Sequence, residues 1–469
     1  MLFNSIAFLC FLPLVLLGVS TLPQRWRNPF LLAASYFFYG AWDWRFLFLL
    51  FGTTCVDYWA AQRIAASAAP SRRRGFLLLS LGTNLAVLGF FKYYNFFAGS
   101  AAQLLAALGI QASPWTLSVI LPVGVSFYTF QSMAYVIDVY RGDMLPASRF
   151  RDYALAVAFF PQLVAGPIER ISHLLPQLLA QVRPAPERIQ VGLTLMMLGF
   201  TKKVLIADVL APEVDLIFSH PGQMSSGLLL KGAYCFALQI YGDFSGYSDI
   251  ARGVAELLGV RLIKNFEQPY LSQSITEFWR RWHISLSSWL RDYLYISLGG
   301  NRRGAWITYR NLMLTMLIGG LWHGANWTFV VWGGLHGAYL ALERMVGVGR
   351  ERVQWAGAGA LAWAGAIARI VVTFHLVTLA WIFFRAPNVA AALEYLRGIL
   401  RFDHLGAIGP VPLVAGLAVL ALDLPQYVSG RHAVFMRLPW WMQSPAYAAL
   451  CLGLILYGGS EVPFIYFQF

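Results

Sequence analysis

The sequence predicts an all-α protein that crosses a membrane many times, and three observations support this fold class. Of its 469 residues, 58% are hydrophobic and only 12% are charged, whereas soluble chains carry about a quarter charged residues. Apolar runs recur along the chain, and about 20 apolar residues form one spanning helix. Short basic clusters separate these runs, a pattern that is typical of loops on the cytoplasmic side of a membrane protein.

The formal net charge of +13 raises the alternative of nucleic-acid binding, which the distribution of the charge argues against. A nucleic-acid-binding protein gathers its basic residues on one soluble face, but here they are divided among many loops. We therefore expect membrane lipids, and no nucleic acid, as partners. The sequence also lacks the motifs of a metal site, a serine nucleophile and a nucleotide phosphate loop, so neither a metal nor a bound cofactor is expected.

The apolar runs in the first third of the chain predict helices of different kinds. Residues 30–61 carry Asp43 and Arg45 at their middle, which indicates a helical hairpin. The run at 159–166 contains one proline and is followed by another, which favours a re-entrant segment packed against protein. With the N terminus outside, three basic loops all fall on the cytoplasmic side, at residues 21–28, 72–74 and 141–151.

The longest polar stretch, residues 261–311, is not composed like a flexible loop. After Gln273, apolar residues recur at helical spacing with basic residues on the flank, up to the glycine pair at 299–300. This pattern predicts one amphipathic helix, rich in Trp and Arg, at the membrane interface. His283 lies within it, and two interpretations stay open: an interfacial packing residue or a functional histidine.

The histidine at position 323 is the strongest candidate for chemistry, because ionisable groups within apolar spans are costly. Glycines around it would let another backbone or a ligand come close, and Asn326 can form hydrogen bonds. A neutral imidazole has an ordinary pKa of about 6.5 and is suited to act as a general base. A histidine buried against a neighbouring helix would look the same. We interpret His336 as a packing residue, and Asp243 and Asp249 as structural carboxylates.

Two strings of residues resemble the membrane-bound O-acyltransferase (MBOAT) family, in the branch that acts on bacterial polysaccharides such as alginate. They read SITEFWRRWHISLSSWLRDYLYISLGGNRRG and LTMLIGGLWHGANWTFVVWGGLHG. The likeness covers about residues 1–385 in matching order. It implies a single integral-membrane domain over 1–469, with a family-like core followed by C-terminal membrane helices over 386–469. It also implies a ring of about 10–12 transmembrane and re-entrant helices around a central funnel and tunnel.

The resemblance also implies the site. The family's signature histidine, in its Trp-His-Gly context, falls on His323, and a second polar position after Arg-Arg-Trp falls on His283. Trp322, Asn326 and Asp292 are expected to support these two catalytic candidates. The basic side chains expected near the phosphates of an acyl donor are Arg280, Arg281, Arg302 and Arg303.

The function implied is that of an O-acetyltransferase in the bacterial inner membrane, where the chain would be a multi-pass protein. Acetyl-CoA would be the cytoplasmic donor, and His323 would act as general base or carry the acetyl group itself. The acceptor would be an exported polysaccharide, reached directly or through a periplasmic acetyltransferase. Two alternatives remain open at this point: a transporter or flippase without chemistry, and a membrane anchor subunit of a polysaccharide export complex.

Overall fold

The structure is a computed structural model, and its regular elements are helices, with no strand among the residues it describes. Contacts between Cα atoms divide the chain into two compact units. The first unit comprises residues 1–193 and 251–263, and the second comprises 194–250 and 264–469. Residues described are 1, 3–111, 113, 116–164, 166–347, 359–404, 409–457 and 464–465.

The first unit begins with long helices whose ends follow from local sequence. Ser5 caps the first helix by accepting a hydrogen bond from the Phe8 backbone N–H, and Pro70 begins the fourth, where a missing N–H costs nothing. Gly142 ends the sixth with a φ of 84°. The helices are α1 (Ile6–Thr21), α2 (Gln24–Asp43), α3 (Arg45–Ala66), α4 (Pro70–Leu88), α5 (Tyr94–Ala107), α6 (Val125–Arg141), α7 (Phe150–Ala158), α8 (Phe160–Leu163) and α9 (Ile171–Ala180), with a π-helical turn (Gly89–Tyr93) between α4 and α5.

The predicted hairpin at 30–61 is present and is longer than expected. Helices α2 and α3 pack on each other and meet at Trp44, where Arg45 and Asp43 form an ion pair with an N–O distance of 2.6 Å. Helix α3 also packs on α4 through a buried carboxylate. Asp57 on α3 accepts hydrogen bonds from Ser80 at 2.6 Å and Asn84 at 2.9 Å. Small polar donors thus satisfy Oδ1 of a carboxylate that would be costly to bury alone.

The proline-bracketed segment is broken, as its sequence indicates. Helix α7 ends at Ala158, Phe159 leaves the helical region with ψ at 106°, and the short α8 follows. Ala165 lies outside the described residues. The phenyl ring of Phe160 packs edge-on against Phe11, at a centroid distance of 5.3 Å, so the broken segment is packed against protein. Whether it re-enters a membrane stays a prediction.

The second unit holds the remaining long helices. Helices α10 and α12 each contain one of the boundaries between the units. The helices are α10 (Pro186–Phe200), α11 (Val209–Ser219), α12 (Ser226–Leu257), α13 (Ile275–Arg281), α14 (Ile284–Trp289), α15 (Ala305–His323), α16 (Trp327–Val346), α17 (Ala360–Arg385), α18 (Val389–Ile399), α19 (Val411–Ser429) and α20 (Trp440–Tyr457). Two π-helical segments interrupt this series, at Thr201–Asp208 and Leu290–Tyr295.

The prediction of one interfacial helix between Gln273 and the glycine pair was wrong. Helix α13 stops at Arg281, His283 takes a left-handed backbone conformation with φ at 45°, and α14 begins at the next residue. The apolar stripe is buried in protein, since Trp282 and His283 are both fully buried. The helical spacing was correct, but the direction of the chain changes at His283, because tertiary contacts hold that residue.

Membrane helices are present, as the composition predicts. Among the residues that the structure describes, three helical stretches are long and apolar enough to cross a membrane: Pro70–Ala107, α17 and α19. Helices α1 and α9 are apolar but shorter. The all-α membrane fold is therefore confirmed, whereas the ring of 10–12 helices and the division into a single domain with a core over 1–385 stay predictions.

Candidate functional site

His323 is the last residue of α15, at the closed end of a helical hairpin. The chain then extends through Gly324 and re-enters a helix at α16. Asn326 caps α16 by accepting a hydrogen bond from the Thr328 N–H at 3.1 Å, and it donates to the Pro387 carbonyl at 2.8 Å. Its role is therefore to hold the turn that carries His323.

Glycines let the two helices of this hairpin touch, as the sequence predicts. A Cβ atom on Gly320 would lie 2.2 Å from the Phe329 carbonyl oxygen. One on Gly333 would lie 2.2 Å from the Met316 carbonyl oxygen. Any larger residue at either position would force α15 and α16 apart, because real Cβ contacts are never that short. The position of His323 thus depends on the lack of a side chain at Gly320 and Gly333.

Aromatic rings enclose His323, which is 3% exposed. The rings of Trp322 and Trp332 each lie 5.0 Å from the imidazole, and the ring of Phe384 lies 5.3 Å away. The His283 imidazole lies 6.2 Å away, centroid to centroid. The two histidines singled out from the sequence, 40 residues apart in the chain, are therefore neighbours. We call this cluster the histidine chamber: His283, Trp322, His323, Trp332, His336 and Phe384.

Hydrogen bonds orient His283 within the chamber. The Ser285 backbone N–H, which can only donate, contacts Asn265 Oδ1 at 3.2 Å, so this Asn265 atom is an oxygen. His283 Nδ1 lies 3.2 Å from the same oxygen and must therefore carry its proton there. In neutral His283 the lone pair is consequently on Nε2. Asn265 was missed by sequence reasoning, because nothing in its local sequence distinguishes it from a loop asparagine.

His336 belongs to the chamber rather than to a separate packing layer. It is fully buried on α16, 4.9 Å from the ring of Trp332. Its Nδ1 accepts a hydrogen bond from Trp279 Nε1 at 3.3 Å, and an indole N–H can only donate. Neutral His336 therefore carries its proton on Nε2, an atom that finds no hydrogen-bond acceptor among the described residues. The interpretation of His336 as a packing residue accounts for only part of this arrangement.

The carboxylates of α12 form buried ion pairs that support the chamber. Lys202 binds Asp249 at 2.9 Å, and Lys203 binds Asp243 at 2.7 Å. Asp249 also accepts from His432 Nε2 at 2.8 Å. Phe244, next to Asp243, packs edge-on against His283 at 4.7 Å. The pairs satisfy these carboxylates within the protein, which agrees with the structural interpretation of Asp243 and Asp249.

The basic residues expected near an acyl donor divide into two groups. Arg281 is 9% exposed, and it binds Glu277 at 2.9 Å and the Glu267 carbonyl at 2.8 Å. Its charge is therefore neutralised inside the protein. Arg280, Arg302 and Arg303 are exposed. Asp292 binds Arg291 at 2.7 Å on a π-helical segment and is not among the residues of the chamber.

Comparison with known proteins decides which family this site belongs to. The model of the membrane-bound O-acyltransferase family, MBOAT, matches residues 147–384, a span that contains all three chamber histidines. The chain belongs to the MBOAT family. As a family member it is an acyltransferase and a membrane protein, and the transporter and anchor alternatives are not supported.

Several curated relatives cover most of the chain. The probable alginate O-acetylase AlgI of Pseudomonas aeruginosa is 47% identical over 96% of this chain and 85% of its own length. The peptidoglycan O-acetyltransferase of Helicobacter pylori is 37% identical over 86% of this chain and 80% of its own. The teichoic acid D-alanyltransferase of Streptococcus thermophilus is 26% identical over 56% of this chain and 68% of its own. The predicted likeness to the polysaccharide branch is thus confirmed.

Proposed function

We propose that this MBOAT protein is a multi-pass O-acetyltransferase of the bacterial inner membrane. It takes the acetyl group of cytoplasmic acetyl-CoA and delivers it to hydroxyl groups of an exported polysaccharide, directly or through a periplasmic acetyltransferase. The observation that carries the proposal is the buried pair of His283 and His323, with ring centroids 6.2 Å apart.

The choice of acyl group and acceptor rests on the relatives. The two relatives described above that cover most of the chain are named for O-acetylation of alginate and of peptidoglycan. The D-alanyl relatives are more distant and match little more than half of the chain. An acetyl group and a sugar hydroxyl of an alginate-like polymer are therefore the favoured substrates.

His323 supplies the chemistry in either of two balanced routes. As general base, it takes the proton of the acceptor hydroxyl while that oxygen attacks the thioester carbonyl. The C–S bond breaks, and the imidazolium returns the proton to the departing thiolate. As relay, one ring nitrogen attacks the thioester, the C–S bond breaks, and the proton of the other ring nitrogen goes to the departing thiolate, so that CoA leaves as the thiol. The acceptor hydroxyl then attacks the acetyl-imidazole, the C–N bond breaks, and the hydroxyl proton returns to the imidazole. Both routes need a neutral imidazole.

The tautomers of the other two histidines support different roles. With its Nδ1 proton held by Asn265, His283 presents a lone pair and so accepts a proton or orients His323. Polarising the thioester carbonyl requires an N–H donor, which this tautomer lacks at Nε2. His336 offers Nε2–H, because Trp279 occupies its other nitrogen. We assign His336 the role of donating to an oxygen of the bound acyl donor.

The exposed arginines are suited to hold the phosphates of acetyl-CoA. Guanidinium groups bind phosphate through paired, charge-assisted hydrogen bonds. Arg302 and Arg303 follow the glycine pair at 299–300, in the turn between the π-helical segment and α15. Arg280 lies one residue before the buried Arg281. We keep the role in donor binding for Arg280, Arg302 and Arg303 and assign Arg281 to the support of α13.

Acetyl transfer from labelled acetyl-CoA tests the proposal. Membranes that contain the wild-type chain should release CoA and transfer the label to added polymer. Membranes with His323→Ala, matched for the amount of folded chain, should do neither. His375→Ala is the matched control, since that imidazole is exposed and bonded to Tyr234. Label transfer in the His323 variant would refute the catalytic role of His323. If membranes with the wild-type chain neither release CoA nor transfer the label, acetyl-CoA is not the donor.

A further inference from the structure

A cavity in the first unit lies outside the histidine chamber and has no assigned role. It has a volume of about 590 Å³, within the range of small-molecule sites, roughly 300–1,000 Å³. Its walls come from the second half of α1, the start of α2, the end of α9, the connection from α9 into α10, and the end of α12 with the turn after it. Apolar side chains make up most of the lining, which extends from Pro13 in the middle of α1 to Ser20 near its end.

Two arginines give this cavity its charge. Arg27 and Arg183 both line it, and none of its lining residues is acidic. Arg27 is only 6% exposed. Its guanidinium donates to the Gln181 carbonyl at 3.3 Å, and its Nε finds no acceptor among the described residues. A carbonyl offsets part of the cost of burying this cation, but it supplies no counter-charge.

A neighbouring arginine shows how the same unit neutralises a charge when no ligand is needed. Arg188 binds Glu256 at 2.7 Å, and Arg261 binds the other oxygen of that carboxylate at 3.3 Å. Among the described residues, neither Arg27 nor Arg183 has such a carboxylate. Arg183 is exposed to solvent, whereas Arg27 is buried. The difference indicates that the counter-charge for Arg27 comes from outside the protein.

The mouth of the cavity is apolar rather than polar. Leu17, Val182 and Ile189 line it and are 59%, 54% and 40% exposed. Trp26, next to Arg27, is 54% exposed, as is common for rings at the headgroup level of a membrane. The basic segment 21–28, which the sequence predicts on the cytoplasmic side, joins the end of α1 to the first turn of α2. A free anion in water would not need apolar walls reaching toward the middle of α1.

We propose that this cavity binds one anionic phospholipid of the cytoplasmic leaflet. Its phosphate lies between Arg27 and Arg183, and the first part of an acyl chain lies along Pro13, Leu16 and Leu31. The Asn28 side chain donates to the Leu178 carbonyl at 2.9 Å, and the Gln181 backbone N–H donates to the Gln177 carbonyl at 3.3 Å. The polar end of the cavity is therefore formed before the lipid enters. Such a lipid would join α1, α2 and α9 and stabilise the first unit. The inference is independent of acyl transfer.

Titration of the purified, delipidated chain with short-chain phosphatidylglycerol tests this site. Native mass spectrometry should show one bound lipid, and Tm should rise with its concentration. Phosphatidylcholine and inorganic phosphate should not produce this rise. Arg27→Gln and Arg183→Gln should each weaken the apparent affinity about fivefold, the size expected for one basic residue at an anionic lipid. Arg74→Gln, in an exposed cluster away from the cavity, should leave it unchanged.

A further variant keeps the test decisive if Arg27→Gln fails to fold. Val182 is exposed at the mouth, so Val182→Asp should fold, place a carboxylate near the arginines and weaken lipid binding more than Arg183→Gln does. Equal affinity for phosphatidylglycerol in wild type, Arg183→Gln and Val182→Asp would overturn the proposal. An equal rise in Tm with inorganic phosphate would show that the ligand is a free anion and not a lipid. An equal rise with phosphatidylcholine would show that the site does not select an anionic head group.

Discussion

The histidine chamber and the arginine-lined cavity both bury polar side chains in an apolar protein, but they do so in opposite ways. In the chamber the buried groups are imidazoles, which can be neutral. The hydrogen bond that His283 donates to Asn265 and the one that His336 accepts from Trp279 set where their protons lie. In the cavity the buried group is Arg27, which is always charged. Aromatic rings surround the imidazoles, whereas the arginine has a cavity of about 590 Å³ beside it.

The free-energy cost of burying a polar group therefore has different consequences for an imidazole and for a guanidinium. Burying an imidazole favours its neutral form, and this leaves a nucleophile or base ready for reaction. Burying a guanidinium cannot neutralise it, and so the charge must be met by an anion. A buried imidazole among packed aromatic rings therefore indicates a catalytic site, and a buried guanidinium beside a cavity indicates a site that binds an anion.

Removal of the imidazole at position 323 should have the largest effect on acyl transfer. His323→Ala is expected to lower kcat by about 10²–10⁴-fold, the usual contribution of a positioned acid or base. Label transfer from acetyl-CoA measures this loss, and elution of the variant as a folded species in detergent shows that the chamber survives. A loss below tenfold would mean that the chamber is a packing core and would remove the contrast with the cavity.

Asn265 should act as a positioning residue for His283. Asn265→Ala removes the acceptor that holds the Nδ1 proton, and we expect kcat to fall about tenfold, as for one lost hydrogen bond of roughly 1.4 kcal/mol. Asn265→Asp keeps an oxygen in place and should recover most of that loss. If the alanine and aspartate variants lose activity equally, Asn265 merely packs and the His283 tautomer has no part in catalysis.

His336 should affect donor binding more than turnover. His336→Phe preserves the ring but removes the Nε2 donor, so KM for acetyl-CoA should rise about tenfold, with a smaller change in kcat. Trp279→Phe, which releases Nδ1 of the same imidazole, should shift KM in the same direction by less. An unchanged KM in both variants would return His336 to the packing role that the sequence indicated.

The exposed arginines should produce the smallest effect. Changing Arg280, Arg302 and Arg303 together to Gln should raise KM for acetyl-CoA a few-fold, since each exposed pair contributes about 0.2–1 kcal/mol. Added salt should raise KM in the wild type and do so less in this variant. Arg397→Gln, at an exposed site on α18, is the control.

Arg281 should respond differently from the exposed arginines, because it is buried. Arg281→Gln should lower the free energy of unfolding by about 2 kcal/mol, since Glu277 and the Glu267 carbonyl lose a charged donor. A shift in KM without a loss of stability would instead place Arg281 at the donor.

Local pattern predicted some features well because they depend only on neighbouring residues. The hairpin around Asp43 and Arg45, the break after Ala158 and the close approach at Gly320 all follow from where charges, prolines and glycines stand. The helix after Gln273 failed for the opposite reason. Its apolar spacing is helical throughout, and the contacts of Asn265 with His283 and Ser285, which are distant from it in the chain, help to turn the chain at position 283.

The sequence by itself determined that the protein lies in a membrane, that its fold is helical, and which two histidines are worth testing. These features can be recognised without knowledge of the fold, because they are properties of short segments: apolar content, the position of basic loops, and polar groups that are costly within apolar spans. Only the tertiary structure decided that His283 and His323 are neighbours, which nitrogen of each oriented imidazole carries the proton, and that Arg27 faces a cavity. Those facts depend on residues far apart in the chain, and their contacts exist only once the helices have packed.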